Sequence, residues 1–318
     1  MERIAKLALK GLNAYLLKRT AIRFFGKNSH KGEKHRMIVL DNEIQLDPGD
    51  VEQRYFIEQC IREPENIFIY KALAKSGLCD TFVDVGANFG HVASTVYPAY
   101  KKLTLIEANP NAAAQLRSLF RNKEKVQIEN IALVDSAEIE EVTLSVPSNS
   151  SGLATIRASA DHDSTATKYK CRASTLDKVL AGKANRSTYI KIDVEGAEEQ
   201  VLRGGQELIE QHKPIVGFEA LSKDVARRCC SLFPQHVFYF ARFDFLNASG
   251  ALTKSVRGVI RAALFGGSIE VLKFTDIDSV PFDNYTQIIA VSMDRQKAFE
   301  EALRSEVGAI QGGLSLNE

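Results

Sequence analysis

Short apolar runs recur along the chain, and their lengths and order predict the strands of an α/β protein. The main runs lie at 82–85, 103–106, 126–133, 189–192 and 214–218. Each run is short enough for a buried strand, and turn residues or segments with helical spacing separate them. Further runs lie at 142–146, 170–174, 236–241 and 287–292, and the last two predict an antiparallel pair. The pattern predicts a mainly parallel, doubly wound sheet with an antiparallel edge.

The run at 82–85 leads into a glycine turn that is typical of nucleoside-binding proteins. The turn contains Gly86, Ala87, Asn88 and Gly90, and Asp84 precedes it. A helix that begins after such a turn presents unpaired backbone N–H groups, which bind an anionic group. In dinucleotide-binding proteins a bare glycine occupies the position of Asn88, so that the backbone can approach a pyrophosphate. A side chain there favours a ligand with a small carboxylate and ammonium group, as in S-adenosylmethionine (SAM), over NAD or FAD.

A second set of residues is expected to bind the nucleoside of that ligand. Glu107 follows the run at 103–106 and lies 21 positions after Gly86. An acid at about this spacing binds the ribose hydroxyls of a nucleoside. Ala108 is its neighbour, and the adenine is expected beside Asn130 and Ala132, where the third strand passes the end of the second.

A third block, IKIDVEGAEEQVLRGG at 190–205, places acids at the carboxyl ends of strands. Asp193 follows one buried run and Glu219 follows the next, where open α/β sheets bind ligands. Asp193 is therefore the first candidate for a general base and is also expected near the ligand. Glu195 or Glu219 is the second candidate, and Lys191 is expected to orient an acceptor.

A helix is predicted over 194–202, with acids in its first turn that favour the positive end of the helix dipole. Asp193 and Glu195 are expected to project towards the ligand. By contrast, Glu198 and Glu199 are interpreted as the solvated start of this helix.

The blocks VDVGANFG, ASTLDKVL and IKIDVEGAEEQVLRGG together resemble the hallmark segments of the FkbM-type SAM-dependent methyltransferases. The resemblance covers about residues 80–220, and IKIDVEGAE is its most specific part. It implies a Rossmann-like methyltransferase fold and methyl transfer to a hydroxyl, often of a sugar, polysaccharide or polyketide. It also implies roles by position: the methionine end of SAM for Asp84, Gly86, Asn88 and Gly90, the ribose for Glu107, and the methyl-transfer site for Asp193 and Glu195. His91 departs from the family pattern, in which an aromatic or small aliphatic residue is more usual.

Two other classes of protein stay open at this point. One is a different nucleoside-using enzyme of the same fold, such as a dehydrogenase, against which Asn88 argues. The other is a non-catalytic SAM-binding or scaffold module, because a fold does not determine a function. The acids Asp193 and Glu219, at the ends of two strands, argue against that second class.

The composition agrees with a soluble cytoplasmic enzyme. A chain of 318 residues with 45% apolar content can bury one large core, and a net charge of +1 predicts no general affinity for nucleic acid. The five cysteines form no C-x-x-C pair, and the six histidines lack metal-ligand spacing. The sequence therefore predicts neither a disulfide framework nor a tightly bound metal. The expected partner is a small-molecule or glycan acceptor, and the oligomeric state stays open.

Basic residues are concentrated at the N-terminus. Residues 1–37 contain ten Lys or Arg but only two acids, a net charge of +8. Apolar residues are interspersed among the bases of 1–26, which predicts a basic amphipathic helix. Such a helix either rests on anionic lipid or packs on the catalytic domain, whereas a transmembrane span or signal peptide is not expected. The predicted organisation is an arm and lead-in segment over 1–75, a methyltransferase domain over 76–295, and a C-terminal helix and tail over 296–318.

Overall fold

A nine-stranded sheet, counted over the described residues, forms the centre of the computed structural model. The structure describes residues 1–9, 34–58, 63–147, 151–156, 166–244, 267–280 and 286–312. Its strands are β1 (Glu2–Leu9), β2 (His35–Val39), β3 (Asn42–Leu46), β4 (Thr81–Val85), β5 (Lys102–Ile106), β6 (Val126–Glu129), β7 (Ala132–Leu133), β8 (Glu141–Val146), β9 (Thr167–Ser174), β10 (Thr188–Ile192), β11 (Ile215–Ala220), β12 (His236–Asp244), β13 (Gly267–Phe274) and β14 (Thr286–Ser292). Its α-helices are α1 (Val51–Ile57), α2 (Pro64–Lys75), α3 (His91–Val96), α4 (Pro110–Leu119), α5 (Leu176–Leu180), α6 (Glu198–Arg203), α7 (Gln206–His212), α8 (Lys223–Ser231) and α9 (Gln296–Gly312).

The order of strands in the large sheet is β1-β13-β12-β14-β11-β10-β4-β5-β6. Strands β11, β10, β4, β5 and β6 run parallel, and β14, β12, β13 and β1 continue the sheet antiparallel. The predicted α/β fold, its parallel half and the antiparallel pair β12–β14 are confirmed. The antiparallel part is larger than predicted, because β1 and β13 extend it.

The central strands are buried on both faces, which explains their nearly continuous apolar sequences. Every residue of β4 and β10 is buried. Successive side chains of a strand point to opposite faces, so Phe82 and Tyr189 pack into one core cluster and Val83 and Ile190 into the other. The same alternation places Asp84, Lys191 and Glu219 on one face, towards the carboxyl ends of β4, β10 and β11.

Two predicted elements have different bounds in the structure. The predicted strand over 126–133 is divided into β6 and β7, and β7 belongs to a small sheet with β9 and β8. The predicted helix over 194–202 begins only at Glu198, as α6. The reason is local, because Glu195 and Gly196 adopt φ of 53° and 98°, which an α-helix cannot contain.

The amphipathic helix predicted over 1–26 is wrong for residues 2–9. They form β1, which pairs antiparallel with β13 and has an irregular register between Arg3 and Ala5. Ile4 and Ala5 are both buried there. The hydrogen bonds between β1 and β13 satisfy the backbone N–H and C=O groups that a helix would have paired internally. Residues 10–33 lie outside the described residues. The proposed domain boundaries stay predictions, and the predicted C-terminal helix is present as α9.

A polar insert, residues 147–166, separates β8 from β9, and its residues 151–156 contact two other parts of the chain. Asp50 caps α1 with Oδ1 and accepts a hydrogen bond from Ser151 N with Oδ2, at 2.8 Å. The hydroxyl of Thr155 donates to the backbone oxygen of Glu195, at 3.0 Å. The insert therefore connects the start of α1 to the loop that follows β10. None of the helices in the described ranges has both the length and the apolar composition needed to cross a bilayer.

Candidate active site

The glycine turn and the loop after β10 are in direct backbone contact. Gly86 has a φ of +77°, and a Cβ atom built on it would lie 1.8 Å from the backbone oxygen of Asp193. The backbone N–H of Asp193 donates to Val85 O, at 3.0 Å. Only glycine satisfies both the left-handed backbone and this close approach. The structure thus brings together the predicted cofactor turn and the predicted catalytic acid.

The turn presents buried acceptors that have no hydrogen-bond partner within the described residues. They are Asn88 Oδ1 and Asp84 Oδ2, whereas Asp84 Oδ1 lies 3.3 Å from Lys191 Nζ. Ala87 is buried beside Asn88, and Gly90 precedes the first residue of α3. Buried polar atoms normally have a hydrogen-bond partner, so these acceptors indicate where a ligand that carries donors would bind.

Glu107 holds the glycine turn against the end of β5. Its Oε2 accepts a hydrogen bond from Asn88 N and its Oε1 accepts one from Asn109 N, both at 2.7 Å. Burial raises the pKa of Glu107 to about 7, and the two N–H donors oppose that rise. Each carboxylate oxygen can accept more than one hydrogen bond, so the side chain retains capacity for a ligand hydroxyl. The ribose contact of Glu107 stays a prediction.

The residues expected near the adenine form a small, tightly bonded group. Asn130 Nδ2 donates to the backbone oxygens of Glu107 and Ala108, at 2.8 and 3.1 Å. Cys171 Sγ also donates to Ala108 O, at 3.2 Å, and Ala132 is buried in β7. The sequence did not indicate Cys171, because a single cysteine in a polar strand carries no positional signal.

The stability of the ligand-free protein should depend on pH through Glu107. A carboxyl whose folded pKa is raised from 4.5 to about 7 contributes stability below its unfolded pKa, and that contribution is lost as the pH rises through 7. We therefore expect the free energy of unfolding of the wild-type protein to fall by about 3 kcal/mol, relative to that of Glu107→Gln, between pH 4.5 and 8. One pKa unit corresponds to about 1.4 kcal/mol. Urea unfolding of both proteins across this range measures the difference. A difference that does not change with pH would contradict the prediction.

Lys191 lies between two carboxylates on the same face of the sheet. Its Nζ is 3.1 Å from Asp193 Oδ2 and 3.3 Å from Asp84 Oδ1, and the residue is 2% exposed. Burial disfavours its charge, but Asp193 and Asp84 outweigh burial and raise the pKa of Lys191. Burial also raises the pKa of Asp84, to about 6, although Lys191 opposes that rise. The ammonium group is thus held by two acids and is almost inaccessible to solvent.

Three predicted acids form a cluster at the carboxyl edge of the sheet. Side-chain oxygens of Asp193, Glu195 and Glu219 all lie within 4.8 Å of one another, close enough to hold a metal ion. Asp193 and Glu219 are hydrogen-bonded, and burial together with the charge of Asp193 raises the pKa of Glu219 well above its usual range. Two carboxylates can share a hydrogen bond only if one is protonated, so the pair holds a proton on Glu219 while Asp193 faces Lys191.

Glu63 is a further acid near the site that the sequence did not indicate. It precedes α2 with a φ of 49°, and its negative charge raises the pKa of Asp84, Lys191 and Glu219. Pro64 is the first residue of α2, a position that proline favours. The position of that helix against β4 and β10 depends on tertiary packing, which the sequence pattern did not contain.

The interpretation of Glu198 as a solvated residue is wrong. Glu198 is fully buried, and its Oε1 accepts hydrogen bonds from Val194 N and Gly196 N, both at 3.1 Å. Glu199 is instead partly exposed and pairs with Arg203 and Arg228, at 2.9 and 2.6 Å. Two adjacent acids of one helix therefore have different surroundings, one beneath the loop after β10 and the other towards solvent.

Several solved structures are similar to this chain at low sequence identity. An FkbM methyltransferase from Methylobacillus flagellatus KT is 15% identical with a TM-score of 0.35, and the match covers 61% of this chain and 44% of that protein. This chain thus spans less than half of the Methylobacillus protein. An O-methyltransferase from Bacillus cereus in complex with SAH is 10% identical with a TM-score of 0.37, covering 73% of this chain and 82% of that one. A SAM-dependent methyltransferase from Agrobacterium tumefaciens is 8% identical with a TM-score of 0.39, covering 84% and 72%.

One known domain family matches the sequence of this chain. No match was found among curated proteins. The model of the methyltransferase FkbM domain matches residues 84–246, just over half of the 318 residues. The match includes the glycine turn, Glu107, the loop after β10 and Glu219, which are the parts that the fold brings together. The chain belongs to the FkbM methyltransferase family.

Proposed function

We propose that the protein is a SAM-dependent O-methyltransferase whose acceptor is a hydroxyl of a sugar, a polysaccharide or another secondary metabolite. The observation that carries this proposal is the contact between Gly86 and the backbone of Asp193. It supports the proposal because the turn predicted to bind the nucleoside lies beside a hydrogen-bonded pair of acids that could accept a proton. A binding module would require the turn but not the acid pair.

The residues of the turn fit the chemistry of SAM. Asn88 Oδ1 and Asp84 Oδ2 are buried acceptors without a hydrogen bond from the described residues, and the methionine end of SAM carries an ammonium donor. Glu107 offers acceptor capacity to ribose hydroxyls. Asn88 in the second glycine position argues against a pyrophosphate ligand. When bound, SAM supplies a methyl group that its sulfonium centre already activates.

The acids of the site would accept the proton of the acceptor hydroxyl. Glu219 keeps its own proton because its pKa is raised, so Asp193 carries the negative charge of the pair. An acceptor hydroxyl would donate its proton to an Asp193 oxygen as its own oxygen forms the bond to the methyl carbon, while the bond from that carbon to sulfur breaks and the sulfur leaves as a neutral thioether. General base catalysis of this kind contributes roughly 10²–10⁴-fold, and alignment of donor and acceptor contributes roughly 7–11 kcal/mol.

Lys191 would act on the acids rather than on the acceptor. Its ammonium group is almost fully buried and contacts Asp84 and Asp193 on the same face of the sheet. A buried cation in this position fixes the orientation of Asp193 and stabilises its charge. This proposal replaces a direct contact between Lys191 and the acceptor.

Methyl transfer is expected to continue without a tightly bound metal. The reason is that the Asp193–Glu219 pair already holds a proton and Lys191 already balances its charge, so a divalent cation would have to displace one of them. Activity in EDTA should stay within about 3-fold of the untreated protein, a change of less than 1 kcal/mol in the barrier. Complete loss of activity in EDTA, with recovery on adding Mg²⁺, would instead identify the three acids as a metal site.

Calorimetric titration with SAM, SAH and NADH tests the proposed function against its alternatives. We expect SAM and SAH to bind and NADH not to bind. Glu107→Ala should weaken the binding of SAM by roughly 1–3 kcal/mol, because charge-assisted hydrogen bonds are lost. Binding of NADH alone would favour a different nucleoside-using enzyme. Binding of SAM with no methyl transfer to a panel of hydroxylated acceptors would favour a SAM-binding module.

Contact with anionic membranes through residues 1–37 is a separate proposal, based on their net charge of +8. Each base near an anionic surface contributes on the order of 1 kcal/mol, and salt screens the attraction beyond about 8 Å. We expect the unmodified 318-residue chain to pellet with anionic vesicles at low salt but not with neutral ones. A protein with the bases of 10–33 replaced by Gln is the control. It leaves β1 in the sheet, and equal pelleting of both proteins would contradict the proposal.

A further inference from the structure

The loop between β10 and α6 adopts a backbone conformation that its own residues do not favour. Glu195 has a φ of 53° and Gly196 a φ of 98°. A glycine adopts such values freely, but a glutamate does so at a cost in free energy. The conformation of Glu195 must therefore be held by contacts from outside the loop.

Two side chains supply those contacts. From one side, Glu198 Oε1 accepts hydrogen bonds from Val194 N and Gly196 N, both at 3.1 Å. From the insert, the hydroxyl of Thr155 donates to Glu195 O, at 3.0 Å. Together they bind the Asp193–Val194 peptide group and both polar atoms of the Glu195–Gly196 peptide group. Burial raises the pKa of Glu198, so a charged carboxylate is costly at this position, which is unusual for a helix start.

We propose that Glu198 is a positioning residue, which holds Glu195 in the left-handed conformation that keeps its carboxylate against the Asp193–Glu219 pair. The inference rests on the proposed function for its catalytic consequence, but the positioning itself does not depend on methyl transfer. The hydrogen bonds of Glu198 within the described residues go to the loop, to Val194 N and Gly196 N, and not to the glycine turn. Glu198 acts through the backbone of the loop, and Thr155 is the second anchor.

The consequence for the site is electrostatic. Among the described residues, Asp193 and Glu195 in the loop after β10 and Glu63 before α2 act on Glu219, and Lys191 on β10 and Asp84 on β4 are paired with this group through Asp193. Glu195 is one of the acids that raise the pKa of Glu219 and so keep the shared proton in place. If the loop relaxes, Glu195 moves away and Glu219 loses its proton at lower pH. Asp193 is then no longer the only charged acid of the pair, and it is less clearly distinguished from Glu219 as the base.

The test uses the full chain and compares changes at two adjacent acids of α6. Glu198→Ala removes both hydrogen bonds, whereas Glu198→Gln retains an acceptor oxygen without a charge. Glu199→Gln is the matched control, since Glu199 pairs with arginines at the surface. Thr155→Val removes the second anchor and stays informative if Glu198→Ala does not fold. Glu195→Gln and the double variant with Glu198→Ala complete a thermodynamic cycle.

The first measurement is the titration of Glu219 by carboxyl ¹³C NMR, which needs no turnover and no ligand. We expect the pKa of Glu219 to fall by similar amounts in Glu198→Ala and Glu195→Gln, to fall less in Thr155→Val, and to stay unchanged in Glu198→Gln and Glu199→Gln. If Glu195→Gln lowers this pKa but neither Glu198→Ala nor Thr155→Val does, the proposal is overturned, whatever reaction the protein performs.

The second measurement is methyl transfer. We expect kcat to fall on the order of 10-fold in Glu198→Ala and in Glu195→Gln, with no further fall in the double variant, because both changes act through one carboxylate. The KM for SAM should change less than about 3-fold in all of them, as no contact with the glycine turn is lost. Effects that multiply in the double variant would show that Glu198 acts through general stability and would overturn the proposal.

Discussion

Gly86→Ala should destabilise the protein by about 2–5 kcal/mol and abolish SAM binding. An alanine at a φ of +77° costs roughly 1–2 kcal/mol, and its Cβ would lie 1.8 Å from Asp193 O. That oxygen cannot move away easily, because the N–H of Asp193 is bonded to β4 and Glu198 holds the following residues. Overpacking in such places costs a further 1–3 kcal/mol or more. Urea unfolding and calorimetry measure the two effects.

Gly77→Ala is the matched control for this experiment. Gly77 has a φ of +73°, and a Cβ atom added to it would meet no described atom within 4 Å. The substitution therefore carries the backbone cost without the collision, and we expect a loss of about 1–2 kcal/mol with SAM binding unchanged. If both variants lose the same stability, the close approach between the turn and Asp193 does not exist in solution.

Asp193→Asn should lower kcat by roughly 10²–10⁴-fold and leave the fold and the affinity for SAM nearly unchanged. The reason is that an amide cannot take the proton of the acceptor hydroxyl, while Lys191 keeps Asp84 as a partner. An interaction that operates mainly in the transition state has this signature of lowered kcat with unchanged binding. Steady-state kinetics, calorimetry with SAM and thermal unfolding together check the prediction.

Glu219→Gln distinguishes the role of Glu219 from that of Asp193. Glu219 is protonated because burial and Asp193 raise its pKa, and a glutamine donates a hydrogen bond to Asp193 as the protonated carboxyl does. We expect kcat to fall less than about 10-fold, a small part of the effect of Asp193→Asn. A larger effect at Glu219 than at Asp193 would reverse the assignment of the base. Unfolding of Asp193→Asn would make Asp193 a structural residue.

The parts of the site that could be predicted from the sequence are those that depend on local pattern. The central strands are buried on both faces and so contain continuous apolar runs, and an acid after such a run must lie at the ligand edge of the sheet. A turn that needs positive φ needs glycine, which made Gly86 recognisable. These rules are enough to place Asp193 and Glu219 at the ends of two buried strands.

The features that could not be predicted depend on contacts between distant segments. Residues 2–9 pair with β13, far along the chain, and their spacing of apolar residues fits a helix equally well. Glu198 resembles an ordinary acid at a helix start, and only the conformation of the preceding loop shows that its side chain turns inwards. Glu63 and Thr155 reach the site through packing of α2 and of the insert, for which no sequence pattern exists.

The hydrogen bonds of Glu107 also have a kinetic consequence. Because one carboxylate holds both the glycine turn and the end of β5, this side of the proposed cofactor site is fixed by contacts within the protein itself. A rigid receptor loses little conformational entropy on association, so its complexes form at rates limited by diffusion and orientation rather than by a slow rearrangement. The association rate of SAM should therefore rise linearly with concentration without reaching a plateau, and differences in affinity among adenosyl ligands should lie in their rates of dissociation.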